Sequence, residues 1–474
     1  MINEKLYNII NELGSTTKRK EKQTILSKVI NDQDLITFIK AVYDPNKNYF
    51  LKAIPNSYIG EGNCIHENID IMDAIELLDT HVVSRETTGN NAKNFIFSLY
   101  DALDEYGKYL LKLVFKRDLA CGVGVKTIND VAGYEVVYVP PYMRCSGFSQ
   151  ASLKKLSFPV VSQTKMDGAF VNILIDNMDV SVKVLTRSGQ DITTSVKPDV
   201  DAFVTSSVST NAEYEGLVLM GEILVKDGNG GYLPREIGNG YINSGDVNPE
   251  LIEYVIWDSV TLPEFISRKS DRPYYSEHES CRFGDVIDFV KNAGKNGSVK
   301  LVRSIICNSV DDVIEHFKSE RENNNEGTVI KDYNLLWVDG VSKLQVKVKV
   351  IFDADLLCID VVEGEYKNAG KLGSLTLTSS DGSVIVSCGT GLSDAQREEF
   401  WANPEAIIGK IAAIKANDIT VTSTSNENED GGTTYSLFLP RFIEFRNDKT
   451  VADDVVKIKE QVKSFTDALK LLEA

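Results

Sequence analysis

What the 474-residue chain lacks narrows the field first. No run approaches the ~20 consecutive apolar residues that a membrane-spanning helix needs. With 42% hydrophobic and 25% charged residues, the composition is that expected of a soluble globular protein. The N-terminal Met-Ile-Asn-Glu-Lys-Leu has no basic-then-apolar signal pattern, so an intracellular setting is expected, the host cytoplasm if the source is viral. Seven cysteines (Cys64, Cys121, Cys145, Cys281, Cys307, Cys358 and Cys388) are odd in number and form no Cys-x-x-Cys pair. Neither a disulfide framework nor a zinc site is expected from them. Four scattered histidines, His66, His81, His278 and His316, make histidine-based metal or triad chemistry a poor first choice.

An excess of basic charge is missing too: the net charge is -18. Acidity rises along the chain, from 17 basic against 19 acidic residues through residue 150 to 12 against 21 beyond residue 350. This argues against sequence-blind coating of nucleic acid, yet leaves a local basic face free to meet phosphates.

Texture divides the chain in three. Residues 1–130 read as helical, with apolar residues at helical spacing in segments such as 25–30 and 95–100. The stretch from Val139-Pro140-Pro141 to Ser157 reads as a linker. Short β-rich runs follow, including 171–175 and 182–185, and predict a mixed sheet. After Val350, runs at 354–362, 374–377, 384–387 and 411–414 alternate with turn residues and suggest a small β-barrel of the oligonucleotide-binding kind. Residues 426–432 read as a solvated hairpin tip. The expected architecture is multidomain: an all-α domain over 1–145, an α+β domain over 150–350 and a C-terminal β-barrel (OB-fold) over 351–474.

Chemistry enters at Gln163-Thr164-Lys165-Met166-Asp167-Gly168, just after the apolar run 159–161. Alone, a Lys-x-Asp-Gly tetrad is commonplace, and a solvated lysine at a turn explains it. As a nucleophile, Lys165 would have to lose a proton held near pKa 10.4, which desolvation or nearby cations favour. Its company is ordered: Thr186-Arg187-Ser188-Gly189, Met220-Gly221-Glu222, Trp257-Asp258, Asn325-Glu326-Gly327 through Lys331, Gln345-Val346-Lys347-Val348-Lys349, and Arg446-Asn447-Asp448-Lys449. Lys347 and Lys349, two apart on a strand, share one face.

In this order the motifs resemble the covalent nucleotidyl transferases, the superfamily of ATP-dependent ligases and capping enzymes. The segment 113–124, with Arg117 and Gly122, resembles the helical DNA-binding domain of DNA ligases, which capping enzymes lack. The likeness is greatest to the ATP-dependent DNA ligases of T-even bacteriophages, and it extends to Leu437-Phe438-Leu439-Pro440 and Gly389-Thr390-Gly391-Leu392.

The resemblance implies a reaction and a set of roles. Lys165 would attack the α-phosphate of ATP and carry AMP. The AMP would pass to the 5′-phosphate at a nick in duplex DNA, and the 3′-hydroxyl would then displace it. Lys347 and Lys349 would neutralise phosphate oxygens and depress the Lys165 pKa. Glu222 and Glu326 would hold Mg²⁺, with a two-metal arrangement left open, and Glu222 would alternatively hold the ribose. Trp257 would stack on adenine while Gln163 and the Thr164 backbone read its edge. Arg187 would lie near the ribose and nick phosphate. Arg446, Asp448 and Lys449 would orient pyrophosphate, and Arg117, Gly122 and Lys126 would meet DNA. Roles in DNA replication, repair and recombination, a monomeric state, and an unspecified sliding clamp or other replication partner complete the expectation.

One position departs from the family pattern Lys-x-Asp-Gly-x-Arg: Phe170 stands where arginine is usual. Lys183 and Arg187 are candidate cations to fill the gap. Two further readings compete, RNA end-joining or capping, and nick binding with degenerate catalysis. An NAD⁺-dependent ligase is disfavoured for want of a cysteine cluster.

Overall fold

The computed structural model describes residues 2–51, 54, 69–245, 247–278, 280–293, 298–323, 325–365, 368–422 and 434–468. Cys64, His66 and the expected hairpin tip at 426–432 lie outside them. By contact, the chain forms two units, one of Met1–Pro140 with Ser188–Gln190, the other of Pro141–Arg187 with Asp191–Ala474.

The described residues of the first unit build seven α-helices: Ile2–Gly14, Arg19–Val29, Gln33–Tyr43, Ile71–Leu78, Gly89–Ala102, Glu105–Lys116 and Val125–Ala132. Three of the starts carry a capping side chain. Asp32 accepts from the backbone N–H groups of Asp34 and Leu35, Asp70 forms a capping box with Asp73, and Asp104 accepts from Gly107. Leu6, Ile10 and Leu13 from one helix and Leu110, Leu113 and Val114 from another are buried at three- and four-residue spacing.

In the second unit, with strands numbered along the chain, the first sheet runs β1 (Met143–Gly147), β10 (Gly340–Lys349), β9 (Gly327–Asp332), β2 (Val160–Lys165), β8 (Ser304–Cys307). The second runs β4 (Ser181–Thr186), β3 (Ala169–Asp176), β5 (Gly216–Val225), β6 (Ile252–Thr261), β7 (Val299–Leu301). The third runs β13 (Ile385–Cys388), β12 (Leu372–Thr378), β11 (Phe352–Glu363), β14 (Ile411–Ala416), β17 (Arg441–Arg446). Beside it lies a hairpin of β15 (Asp418–Val421) and β16 (Tyr435–Phe438). Val346 and Val348 on β10 share one apolar core with Ala354 and Leu356 on β11. No described helix is long and apolar enough to cross a membrane.

The stretch read as a linker is in part a strand. Residues 143–147 pair in parallel with β10, some 200 residues away, through a register shift between Cys145 and Ser146. A short strand with so distant a partner leaves no local periodicity to read.

Candidate functional site

Lys165 is the last residue of β2 and sits opposite Gly327 in the β2–β9 pair, while Lys349 sits opposite the same glycine across β10 and β9. This crossing explains the glycine. A Cβ on Gly327 would come within 2.2 Å of the Val348 carbonyl oxygen. Glu326, one residue earlier, accepts a hydrogen bond at Oε2 from Lys165 Nζ, and its charge also acts on Lys349.

Glu222 approaches from the other sheet. Phe170 and Glu222 are partners across β3 and β5, and Glu222 Oε2 accepts from the Gly168 N–H at 2.6 Å. A Cβ on Gly168 would lie 2.6 Å from the Ile223 carbonyl oxygen, so the tetrad's glycine is a close-approach residue. Asp167 pairs with Arg235 at 3.2 Å, a cation the motif reading did not single out.

The electrostatics correct one expectation. Burial favours the neutral amine of Lys165, but the charge and hydrogen bond of Glu326, aided by Glu222 and Asp167, leave its pKa above the ordinary 10.5. Lys347 and Lys349 do not prevail, because a carboxylate in contact outweighs more distant cations. Burial lowers the Lys349 ammonium, against Glu326 and with the help of Lys347 and Lys165. Burial pushes the Glu222 carboxyl up to about 7, opposed by Lys165, the Gly168 N–H and Arg235.

Beside the lysine, a cavity opens to solvent, and Tyr142, Gln163, Thr164, Trp257, Lys331 and Gln345 are among its lining. Gln163, Trp257 and Thr164 thus meet Lys165 and Glu222 at one cavity. The Thr164 N–H is already engaged with the Arg303 carbonyl at 3.0 Å, so a backbone contact from Thr164 to a base would fall to its carbonyl. At the back, fully buried Lys331 donates to the Trp257 carbonyl at 3.1 Å and lies 4.3 Å from the Tyr274 ring centroid. Burial brings it down to about 8, opposed by Asp258 and Cys145. Lys331 stands in a quoted motif, but only its burial in the fold marks it out.

Phe170 replaces a guanidinium with a packed ring. Its centroid lies 4.5 Å from that of Tyr142 and 6.0 Å from that of Trp257, and the Arg187 guanidinium sits 4.7 Å over the other neighbour, Tyr142. Arg187 therefore joins the aromatic wall, whereas Lys183 is 3.9 Å from Asp191 and largely exposed.

Two groups of expected residues lie apart from this cavity's lining. On the third sheet, Arg446 pairs with Asp448 at 2.7 Å and with Asp355 at 3.3 Å, and Lys449 also pairs with Asp355. Asp355 is buried on β11 and was not foreseen. In the helical unit, Arg117 turns inward: its guanidinium donates to the carbonyls of Ala41 (3.1 Å), Lys47 (3.2 Å) and Asp44. It braces a loop instead of presenting its charge. Gly122 and Lys126 line a surface cleft with Thr17, Arg19 and Lys22.

Among the described residues, no three or more His, Cys, Asp or Glu gather as a metal group. Mg²⁺ that keeps waters and phosphate oxygens needs only one or two carboxylates. Glu222, held near 7 by burial, is a carboxyl that a cation would ionise, so Glu222 and Glu326 fit such an ion.

Comparison with known proteins gives a concordant result. The model of the DNA ligase OB-like domain matches residues 363–425. The chain is 24% identical to the DNA ligase of Enterobacteria phage T6, over 94% of this chain and 97% of that one. The DNA ligase of Enterobacteria phage T4 gives the same figures. A solved structure named Pmar-Lig_PreS3 shares the fold with a TM-score of 0.68 at 23% identity, covering 93% of this chain and 99% of that one. These likenesses bear out the resemblance to DNA ligases and, with it, the reading of the chain as a DNA ligase enzyme. The resemblance to the DNA ligases of the T-even phages is thus matched by the T4 and T6 proteins.

Proposed function

We propose that the chain is an ATP-dependent DNA ligase that seals 5′-phosphate/3′-hydroxyl nicks through AMP carried on Lys165. The observation that carries this reading is the cavity that Lys165 and Glu222 line together with Trp257, Gln163 and Lys331, with Glu326 bonded to Lys165 and the charge of Lys349 acting on both. Adenine fits between the aromatic wall and the buried donors, with Trp257 stacking on it and Gln163 and Lys331 facing its edge. That pose brings the α-phosphate to Lys165.

Before attack, the ammonium must give up its proton and its bond to Glu326. Bound Mg²⁺ held by Glu326 and Glu222 would supply charge neutralisation at the phosphate oxygens. Once the bond to Glu326 is given up, burial and the cations Lys347 and Lys349 favour the amine, with Asp167 still opposing them. Lys347 and Lys349 also stabilise the charge that develops on the phosphate as pyrophosphate departs. Arg187 serves the ribose and nick phosphate from its seat on Tyr142, and Arg446, Asp448 and Lys449 orient pyrophosphate once released from Asp355.

In this reading, residues 1–145 form a DNA-binding domain, 150–350 the adenylyltransferase domain and 351–474 an OB-fold that closes on DNA. The cleft with Arg19, Lys22 and Lys126 is its DNA-facing part, whereas Arg117 supports the loop behind it. The protein acts as an intracellular monomer in replication, repair or recombination, and a clamp partner stays unspecified. Incubation with Mg²⁺ and α-labelled ATP, followed by nicked DNA, tests the reading. A labelled protein band is expected from the wild type and none from Lys165→Ala; label persisting in the variant, or a clear preference for RNA acceptors, would overturn it.

A further inference from the structure

Behind the strand that carries Lys165 runs a buried polar chain. Glu320, on the last turn of the helix Val310–Glu322, is fully buried. Its Oε2 accepts from Asn325 Nδ2 at 2.7 Å, and its Oε1 lies 3.3 Å from Arg303 Nη1 and 3.4 Å from His316 Nε2. His316 Nδ1 shares a 2.8 Å hydrogen bond with Ser162 Oγ, three residues before Lys165. Backbone groups follow the same route: Asn325 N–H donates to the Glu320 carbonyl at 2.9 Å, and Thr164 N–H to the Arg303 carbonyl at 3.0 Å. The flanks of the Lys165–Glu326 pair thus converge on one carboxylate.

A carboxylate in such a place is costly unless its partners are fixed, and an apolar side chain would fill the space without that cost. What an apolar side chain cannot do is orient Asn325, the residue immediately before Glu326. The bond from Asn325 Nδ2 to Glu320 does so beside a fully buried carboxylate, where a hydrogen bond is stronger and a missing one dearer.

We propose that Glu320 is a positioning residue for lysine adenylylation: it fixes Asn325 so that Glu326 is presented to Lys165 and to a divalent cation in one orientation. Glu320 touches neither lysine nor nucleotide and acts through Asn325. The inference rests on the adenylyltransferase reading above.

The test uses the full-length protein as wild type, Glu320→Ala, Glu320→Gln and Asn325→Ala. Single-turnover formation of labelled protein from α-labelled ATP is followed across a MgCl₂ titration, beside thermal melts. Glu320→Ala and Asn325→Ala are expected to raise the Mg²⁺ concentration for half-maximal rate by about tenfold, the usual scale for losing a partner behind a metal ligand. Glu320→Gln, which keeps an acceptor for Asn325, shifts it less. A packing role alone would lower the melting temperature and leave that midpoint in place. An unchanged midpoint in both alanine variants therefore overturns the proposal, and Asn325→Ala decides alone if Glu320→Ala does not fold. A wild type that forms no labelled band overturns the adenylylation reading and this inference together, a result distinct from a labelled wild type whose variants share its midpoint.

Discussion

Replacing Phe170 with arginine restores the usual family residue, but here it exchanges one structural solution for another. The ring contacts with Tyr142 at 4.5 Å and Trp257 at 6.0 Å would be lost. Such aromatic pairs contribute about 0.5–1.5 kcal/mol each beyond their buried area, so about 1–3 kcal/mol is at stake. The new guanidinium would lie directly across the strand pair from Glu222 and recover about 0.2–1 kcal/mol. The net cost is about 1–2 kcal/mol, or a fall of several degrees in Tm. Because Tyr142 and Trp257 also line the cavity beside Lys165, proposed above to take the nucleotide, a loss of about 1.4 kcal/mol of ordering there would weaken ATP binding about tenfold. Sealing of a nick already carrying AMP needs no ATP and gains a cation, so it should accelerate. The assay pairs the ATP dependence of protein labelling with single-turnover sealing of adenylylated nicked DNA and a thermal melt. Unchanged ATP dependence and unchanged Tm would refute the idea that Phe170 organises the wall.

Three further expectations follow from buried charges. Lys331→Met removes an ammonium whose pKa burial brings from 10.5 to about 8, a penalty of roughly 3 kcal/mol at neutral pH. It should raise Tm while reducing labelling by ATP, because the Trp257 carbonyl keeps its bond from Tyr274; a lower Tm would contradict this. Asp355→Asn loosens Arg446 and Lys449, and is expected to lower Tm but speed protein labelling; slower labelling would show that the pairing serves the reaction. His316 has its pKa lowered by burial, with Arg303 acting the same way and Glu320 opposing. Its neutral form is favoured by folding, so the associated stability is present above the unfolded value of 6.5 and lost as pH falls through the folded one. His316→Gln should therefore flatten the decline of Tm below pH 6.5; an equal decline in both proteins would rule His316 out as its source.

The sequence by itself determined many of the elements and the order of the chemistry. Alternating runs at 171–175 and 182–185 became β3 and β4, and the tetrad's lysine ended a strand, because amphipathic period and turn residues are local properties. The ordered motifs carried the resemblance without any coordinates. Tertiary structure alone decided which way charges point. It turned Arg117 inward onto carbonyls, set Glu326 against Lys165 so that the amine is held protonated, and joined Arg446 and Lys449 to Asp355. It also placed residues 143–147 on β10 and Glu320 behind β2, the strand that ends at Lys165. These partners lie up to about 200 positions apart, and the sign and size of each pKa shift depend on burial and contact, which no local pattern encodes.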